Sequence, residues 1–313
     1  MQAAPQPPVD DRSRLAARRP ALVLRARVMA AVHGFLQDRG FVHVETPVRV
    51  AAPALEDYID AEPSGRAWLR TSPELHMKRL LAAGYERIYQ IGPCFRRGEA
   101  GRRHRPEFTM LEWYRLRAGW RDILQDTVEL LRSTALAATG GTGCRFRGRE
   151  VDLGAAWDEI TVDEAFRRFA GTDVDAALAA GRFEEVLVSR VEPQLGLNVP
   201  TVLSEYPLAC SGLSRQIPGR PDRVERWEVY IAGMELGNAC SELVDPAEQR
   251  RRFAACAELR RAEGRDVYPV DDAFMAALEA GMPPAAGIAI GMDRLVMVLA
   301  GADCIDDVVA FLD

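Results

Sequence analysis

The sequence is nearly empty of lysine: among 40 lysine and arginine residues, Lys78 is the only lysine. A GC-rich coding sequence produces such a skew by itself, and charge composition bears on solubility more than on any site. The other reading is local. Lys78, within His76-Met77-Lys78-Arg79, would occupy a place that needs a compact ammonium, which a planar guanidinium cannot imitate. The six cysteines are scattered with no C-x-x-C pair, which excludes a disulfide framework or Cys-rich zinc site and predicts free thiols in a reducing cytoplasm. Met1–Pro20 has no apolar segment of the kind a secretory signal needs. No run of ~18 apolar residues exists, which excludes a membrane-spanning helix. Positive charge is not in excess either: the formal net charge is −6, so no global field draws in nucleic acid. No repeat or long linker is visible. What is present is an ordinary globular composition, 48% hydrophobic and 27% charged, ample for a large core.

Residues 1–20 read as a flexible leader and residues 21–313 as one folded unit. Apolar residues at helical spacing from Leu22 to Leu36 predict a helix over 21–39, stopped by Gly40. Phe41–Glu45 alternates as a short strand ending at Thr46-Pro47. Trp68–Thr71 reads as a strand entering a helix, with Ser72 as N-cap and Pro73 at the first helical position. Strands are predicted over 87–95 and 108–115, flanking a charged loop, and over 227–234 and 287–292. Helices are predicted over 123–138, 162–169, 183–191, 246–263, 272–280 and 293–299. Strands that return between helices without a βαβ rhythm imply an α+β fold, an antiparallel sheet flanked by helices.

The loop between the first two long strands carries Arg96, Arg97, Arg102, Arg103, His104 and Arg105. Guanidinium forks clustered at a hairpin tip suit a polyphosphate. Glu107, Glu112 and Tyr114 alternate through the following apolar strand, so polar groups converge on one sheet face beside that tip. Glu235 and Glu242, seven residues apart, could meet at one magnesium across a turn or an irregular connection.

Phe95-Arg96 with Arg102-x-His104-x-Pro106-Glu107-Phe108-Thr109-Met110-Leu111-Glu112-Trp113-Tyr114 resembles motif 2 of the class II aminoacyl-tRNA synthetases in its lysyl spelling. Gly287-Ile288-Ala289-Ile290-Gly291-Met292-Asp293-Arg294 resembles motif 3, and Gly40–Pro47 resembles motif 1. The three stand in order along the chain. The resemblance implies a class II synthetase catalytic domain over 21–313 that joins a substrate carboxylate to the α-phosphate of ATP, with Mg2+ on the leaving pyrophosphate. It assigns Arg96 to the α-phosphate and Arg294 to the adenine and γ-phosphate. Arg97, Gly98, Arg105, Glu235, Leu236 and Gly291 are placed around the nucleotide, and Glu235 and Glu242 at the metal. Ser72, Pro73 and Glu74 would receive the amino group of the amino acid, Glu112 and Tyr114 a distal ammonium, and Glu242 would serve both metal and substrate. Several carboxylates around one cavity call for a substrate with two ammonium groups, lysine or an isomer. Two positions depart from the family pattern: Gly98 stands where motif 2 has an acid, with Glu99 next to it, and Arg105 replaces the usual asparagine.

Motif 1 begins too near the N-terminus to leave space for an anticodon-binding domain, and the chain is in this respect similar to the elongation factor P lysyltransferases. His76–Leu81, Glu112–Arg115 and Ala289, where lysyl-tRNA synthetases usually carry glycine, resemble that branch too. The expectation is therefore transfer of lysine, preferentially (R)-β-lysine, to a lysine of elongation factor P, by a cytoplasmic homodimer that pairs through motif 1 and does not use tRNA. No residue is an evident general base for the acceptor amine. The alternatives are a truncated lysyl-tRNA synthetase-like enzyme and a catalytically silent, amino-acid-sensing paralogue.

Overall fold

A computed structural model describes residues 11–312 of the chain. Residues 1–10 of the expected leader lie outside the described residues. Residues 11–20 are not leader but helix: α1 runs Asp11–Asp38, with Pro20 inside it. Proline there removes one backbone donor, and most of this first stretch is exposed, so no apolar period announces it. Tertiary contact holds it instead, with Arg18 donating to the Ala310 carbonyl at 2.9 Å.

The main sheet contains, in chain order, β1 (Val42–His43), β2 (Arg87–Phe95), β3 (Glu107–Leu116), β4 (Asp158–Thr161), β5 (Thr201–Pro207), β6 (Arg220–Ile231), β7 (Met234–Ser241) and β8 (Ala285–Gly291). Their spatial order is β1-β2-β3-β8-β7-β6-β5-β4, with Gln216–Ile217 as a further short strand on β6. The inner pairs are antiparallel and the two outermost pairs parallel. The single strand expected over 227–234 is in fact a hairpin. Ala232 and Gly233 both take positive φ, 48° and 68°, as a two-residue primed turn requires. Alanine is an uncommon residue there, which hid the turn.

The longer helices that cover the sheet after α1 are α2 (Glu74–Ala82), α3 (Trp120–Thr139), α4 (Pro246–Ala262), α5 (Asp272–Glu279) and α6 (Met292–Ala300). The helices expected over 162–169 and 183–191 are each a short α turn running into a π turn. At the start of α2, Pro73 holds the cap position and the Ser72 hydroxyl accepts from the Glu74 N–H at 3.4 Å, one residue off the predicted pattern.

Strand alternation sorts the sheet into two faces. Leu111, Trp113, Trp227, Val229, Ala239, Ile288 and Ile290 bury on one, against Val32, Leu130 and Leu295 of α1, α3 and α6. Each buried leucine, isoleucine or valine among them contributes roughly 1.5–3 kcal/mol. The other face carries two rows in register: Gln90, Glu112, Ala289, Asn238 and Glu228, then Ile88, Tyr114, Gly287, Cys240 and Arg226. Polar and charged side chains in mid-sheet make this face the floor of a site.

Candidate active site

A cavity of about 910 Å³ opens on that polar face. At one end it is acidic. Glu112 and Tyr114, two apart on β3, point the same way, and the Tyr114 hydroxyl donates to Glu112 Oε1 at 2.5 Å. The tyrosine ring can lie across β8 only because residue 287 is glycine: a Cβ there would sit 2.3 Å from the ring. Glu112 Oε2 is left buried with no hydrogen-bond partner. Burial, reinforced by Glu74, pushes the Glu112 carboxyl up to about 8, against the pull of the Tyr114 hydrogen bond.

Glu242 lies just past β7, its Oε2 2.5 Å from Lys78 Nζ. Beyond this ion pair, Glu242 Oε2 makes no hydrogen bond. Lys78 stands one turn beyond Glu74 on α2 and donates to Glu74 Oε1 at 2.5 Å. Burial opposes the charge on Lys78, but Glu242 and Glu74 outweigh it and hold the ammonium protonated. Ser72 lines this end, whereas Pro73 shapes the helix start without lining the cavity.

The other end is basic. Arg294 Nη1 donates to the Glu235 carbonyl at 2.7 Å and lies 3.2 Å from Glu235 Oε2, while Nη2 is 2.6 Å from His104 Nε2. Burial, then Arg294, depress His104 to about 4, so its ring is neutral and accepts that bond. The Arg96 guanidinium lies 5.2 Å from the Phe108 ring centre, and its buried Nε has no partner. Arg105 lines the cavity and pairs with Asp306 at 2.9 Å.

Two expected nucleotide contacts lie elsewhere. Arg97 turns outward to Asp266 at 2.7 Å and does not line the cavity. Gly98 takes φ of 81° in the turn between Arg96 and Glu99, and it is Glu99 that reaches the cavity wall. The turn fixes both outcomes: a left-handed residue at 98 rotates its two neighbours to opposite sides. Leu236 and Gly291 line the wall as expected. A Cβ on Gly291 would meet only the Arg294 side chain, at an ordinary 3.5 Å, so this glycine leaves cavity space rather than relieving a clash within the protein.

Glu235 and Glu242, the residues expected to share a metal, both line the cavity. Each carboxylate meets a different cation, Glu235 meeting Arg294 and Glu242 meeting Lys78. A bulge between β6 and β7, where Val229 faces Gly237 but Tyr230 faces Glu235, brings Glu235 back to the polar face. There its charge acts on Glu228, which accepts from Arg226 at 2.6 Å, Tyr206 at 2.5 Å and Tyr230 at 2.6 Å. Magnesium characteristically takes one or two protein carboxylates and completes its shell with phosphate oxygens and water. Glu235 and Glu242, both on the cavity wall, fit that demand. Among the described residues no cluster of three His, Cys, Asp or Glu forms a complete protein cage.

Sequence reasoning missed Glu228 and Arg226, yet the signal was there. Glu228 interrupts the apolar run Trp227 to Ile231, as Glu112 interrupts β3. It also missed Glu56, a cavity-lining carboxyl that burial raises to about 7.

The chain matches the profile of the tRNA synthetases class II (D, K and N) over residues 12–312. It belongs to that family. A lysine–tRNA ligase of Moorella thermoacetica is 38% identical over 319 residues, covering 92% of this chain and 64% of that protein. Lysine–tRNA ligases of a Synechococcus species and an Anaeromyxobacter species are 37% and 36% identical, covering 92% and 94% of this chain. This class II synthetase chain spans 62–65% of the length of these relatives. The α+β fold, a largely antiparallel sheet flanked by helices, is the one expected. All six cysteines are free, and no helix among the described residues is long and apolar enough to cross a membrane.

Proposed function

We propose that this class II synthetase activates a diamino acid, lysine or (R)-β-lysine, as an aminoacyl-adenylate and transfers it to a lysine side chain of elongation factor P. The observation that carries the activation step is the buried acidic end of the cavity, where Glu112 Oε2 has no hydrogen-bond partner and Glu242 is ion-paired to Lys78. A buried carboxylate oxygen without a donor is costly, and a substrate ammonium satisfies it.

With its ammonium groups held there, the amino acid presents its carboxylate toward the guanidiniums. A carboxylate oxygen attacks the α-phosphorus of ATP, a bond to that phosphorus forms, and the bond to the pyrophosphate oxygen breaks. Arg96 and Arg294 stabilise the charge gathering on the phosphoryl oxygens. Glu235, with Glu242, would hold Mg2+, which when bound neutralises the pyrophosphate.

Ala289 supports the β-amino isomer. Its Cβ stands in the row between Glu112 and Asn238, so its methyl raises the pocket floor where glycine would leave room. A net charge of −6 favours a protein acceptor over a polyanion, which needs a basic surface. The edge strand β1, with Val42 exposed, is the surface on which a second copy would pair to form a homodimer. The names of the relatives favour a second reading, transfer of lysine to tRNA.

ATP–pyrophosphate exchange with α-lysine, (R)-β-lysine and ornithine, followed by incubation with elongation factor P or tRNA, tests both. Exchange strongest with (R)-β-lysine, followed by a mass increase on elongation factor P alone, is the expected result. Charging of tRNA would replace the acceptor, and no exchange with any diamino acid would overturn the reading.

A further inference from the structure

We infer that Lys78 is a positioning residue for the amino-acid pocket: its ammonium is the resident counter-ion that fixes two of the three carboxylates and sets the charge left for the substrate. The inference rests on reading the acidic end of the cavity as a diamino-acid site. Glu74, Glu112 and Glu242 converge there from α2, β3 and the end of β7. Lys78 has no exposed side-chain surface and bridges two of them, 2.5 Å from Glu74 Oε1 and 2.5 Å from Glu242 Oε2.

Once an incoming ammonium has displaced the proton on Glu112, three carboxylates and one resident ammonium leave two negative charges. That number matches an amino acid with two ammonium groups and rejects one with a single ammonium, which would leave a buried carboxylate uncompensated. The bridge also ties α2 to the end of β7, so the two carboxylates face the cavity before substrate arrives and need no ordering when it binds.

Arginine cannot do this work. Its planar fork carries five donors, which would need more room and would fill the acceptor sites on Glu242 that the substrate requires. A chain that uses arginine for every other cation keeps lysine at the one place where both carboxylates must be matched by a compact charge. Of the two readings the sequence offered for Lys78, the local one has the geometry behind it.

The test begins with Lys78→Met, which keeps the length of the side chain and removes its charge. In ATP–pyrophosphate exchange, KM for the diamino acid should rise at least thirtyfold, while kcat at saturation and KM for ATP stay within about threefold. A folded Lys78→Met protein with unchanged KM for the diamino acid would overturn the inference. A second measurement needs no variant. Because the chain has one lysine, protein labelled with 13C at lysine Cε gives a single side-chain resonance. It should move on adding α-lysine or (R)-β-lysine and stay in place with norleucine, which lacks the distal ammonium. A resonance unmoved by any diamino acid that supports exchange would remove the proposed role. Failure of wild-type exchange with every diamino acid would instead bring down the underlying reading together with the inference.

Discussion

The two ends of the cavity share one sheet face but handle charge in opposite ways. At the basic end the charges sit on long guanidinium side chains that are partly exposed and already paired: Arg294 with Glu235 and His104, Arg105 with Asp306. These pairs can be exchanged for phosphate oxygens at little expense, because both forms keep their hydrogen bonds. At the acidic end Glu112 and Glu242 are 2% exposed, with Glu112 Oε2 unfilled and Glu242 Oε2 met by the Lys78 ammonium. The basic end is adaptable and redundant; the acidic end is rigid and incomplete without an ammonium.

The largest effect should come from the one arginine that joins the two halves of the basic end. Arg294→Ala removes a charge aimed at the phosphates and strands Glu235 without its partner. Loss of a single preorganised charge-stabilising group typically lowers turnover by 10²–10³-fold. Exchange at saturating diamino acid should fall by about that factor, with KM for the diamino acid nearly unchanged. If KM for the amino acid rose instead, the two ends would not be separate devices.

A smaller effect separates them by pH. Burial raises Glu112 to about 8, so below that pH the free pocket holds a proton there, and an incoming ammonium must displace it. KM for the diamino acid should therefore fall several-fold as pH rises from 6.5 to 8.5. The folded state binds a proton that the unfolded chain has already lost above the ordinary carboxylate range. Stability contributed by this group is present at low pH and declines between that range and about 8. Glu112→Gln should flatten both profiles, as read by exchange kinetics and by urea denaturation at matched pH. Unaltered profiles would place the titration on another carboxyl.

How much of this was legible in the sequence follows the same division. Glu112 and Tyr114 were readable because polar residues two apart in an apolar strand must share a face. Glu235 was readable as a site residue, but its contact with Arg294 and its influence on Glu228 needed the register. A bulge opposite Val229 and Tyr230 reverses the parity of β7 and sends Glu235 to Arg294 and Glu228. The start of α1 was hidden for a different reason: residues 11–20 bury too little to show a period, and Arg18 holds them through a contact almost 300 residues away. Local pattern carries which face a side chain takes; it does not carry registers, bulges or remote tethers.

Arg97 is the sharpest small test of the comparison. By sequence it is as good a phosphate ligand as Arg96, being adjacent and on the same loop. The left-handed turn at Gly98 sends it outward, where its side chain is 41% exposed against 17% for Arg294 and pairs with the 58% exposed Asp266. An exposed pair of this kind is worth ~0–1 kcal/mol. Arg97→Ala should therefore change exchange kinetics by less than twofold and the melting temperature by at most about 1–2 °C. A loss approaching that of Arg294→Ala would mean that the loop reorganises around ATP and that Arg97 swings in. The basic end would then be mobile in its backbone as well as in its side chains, a sharper contrast with the pinned carboxylates opposite.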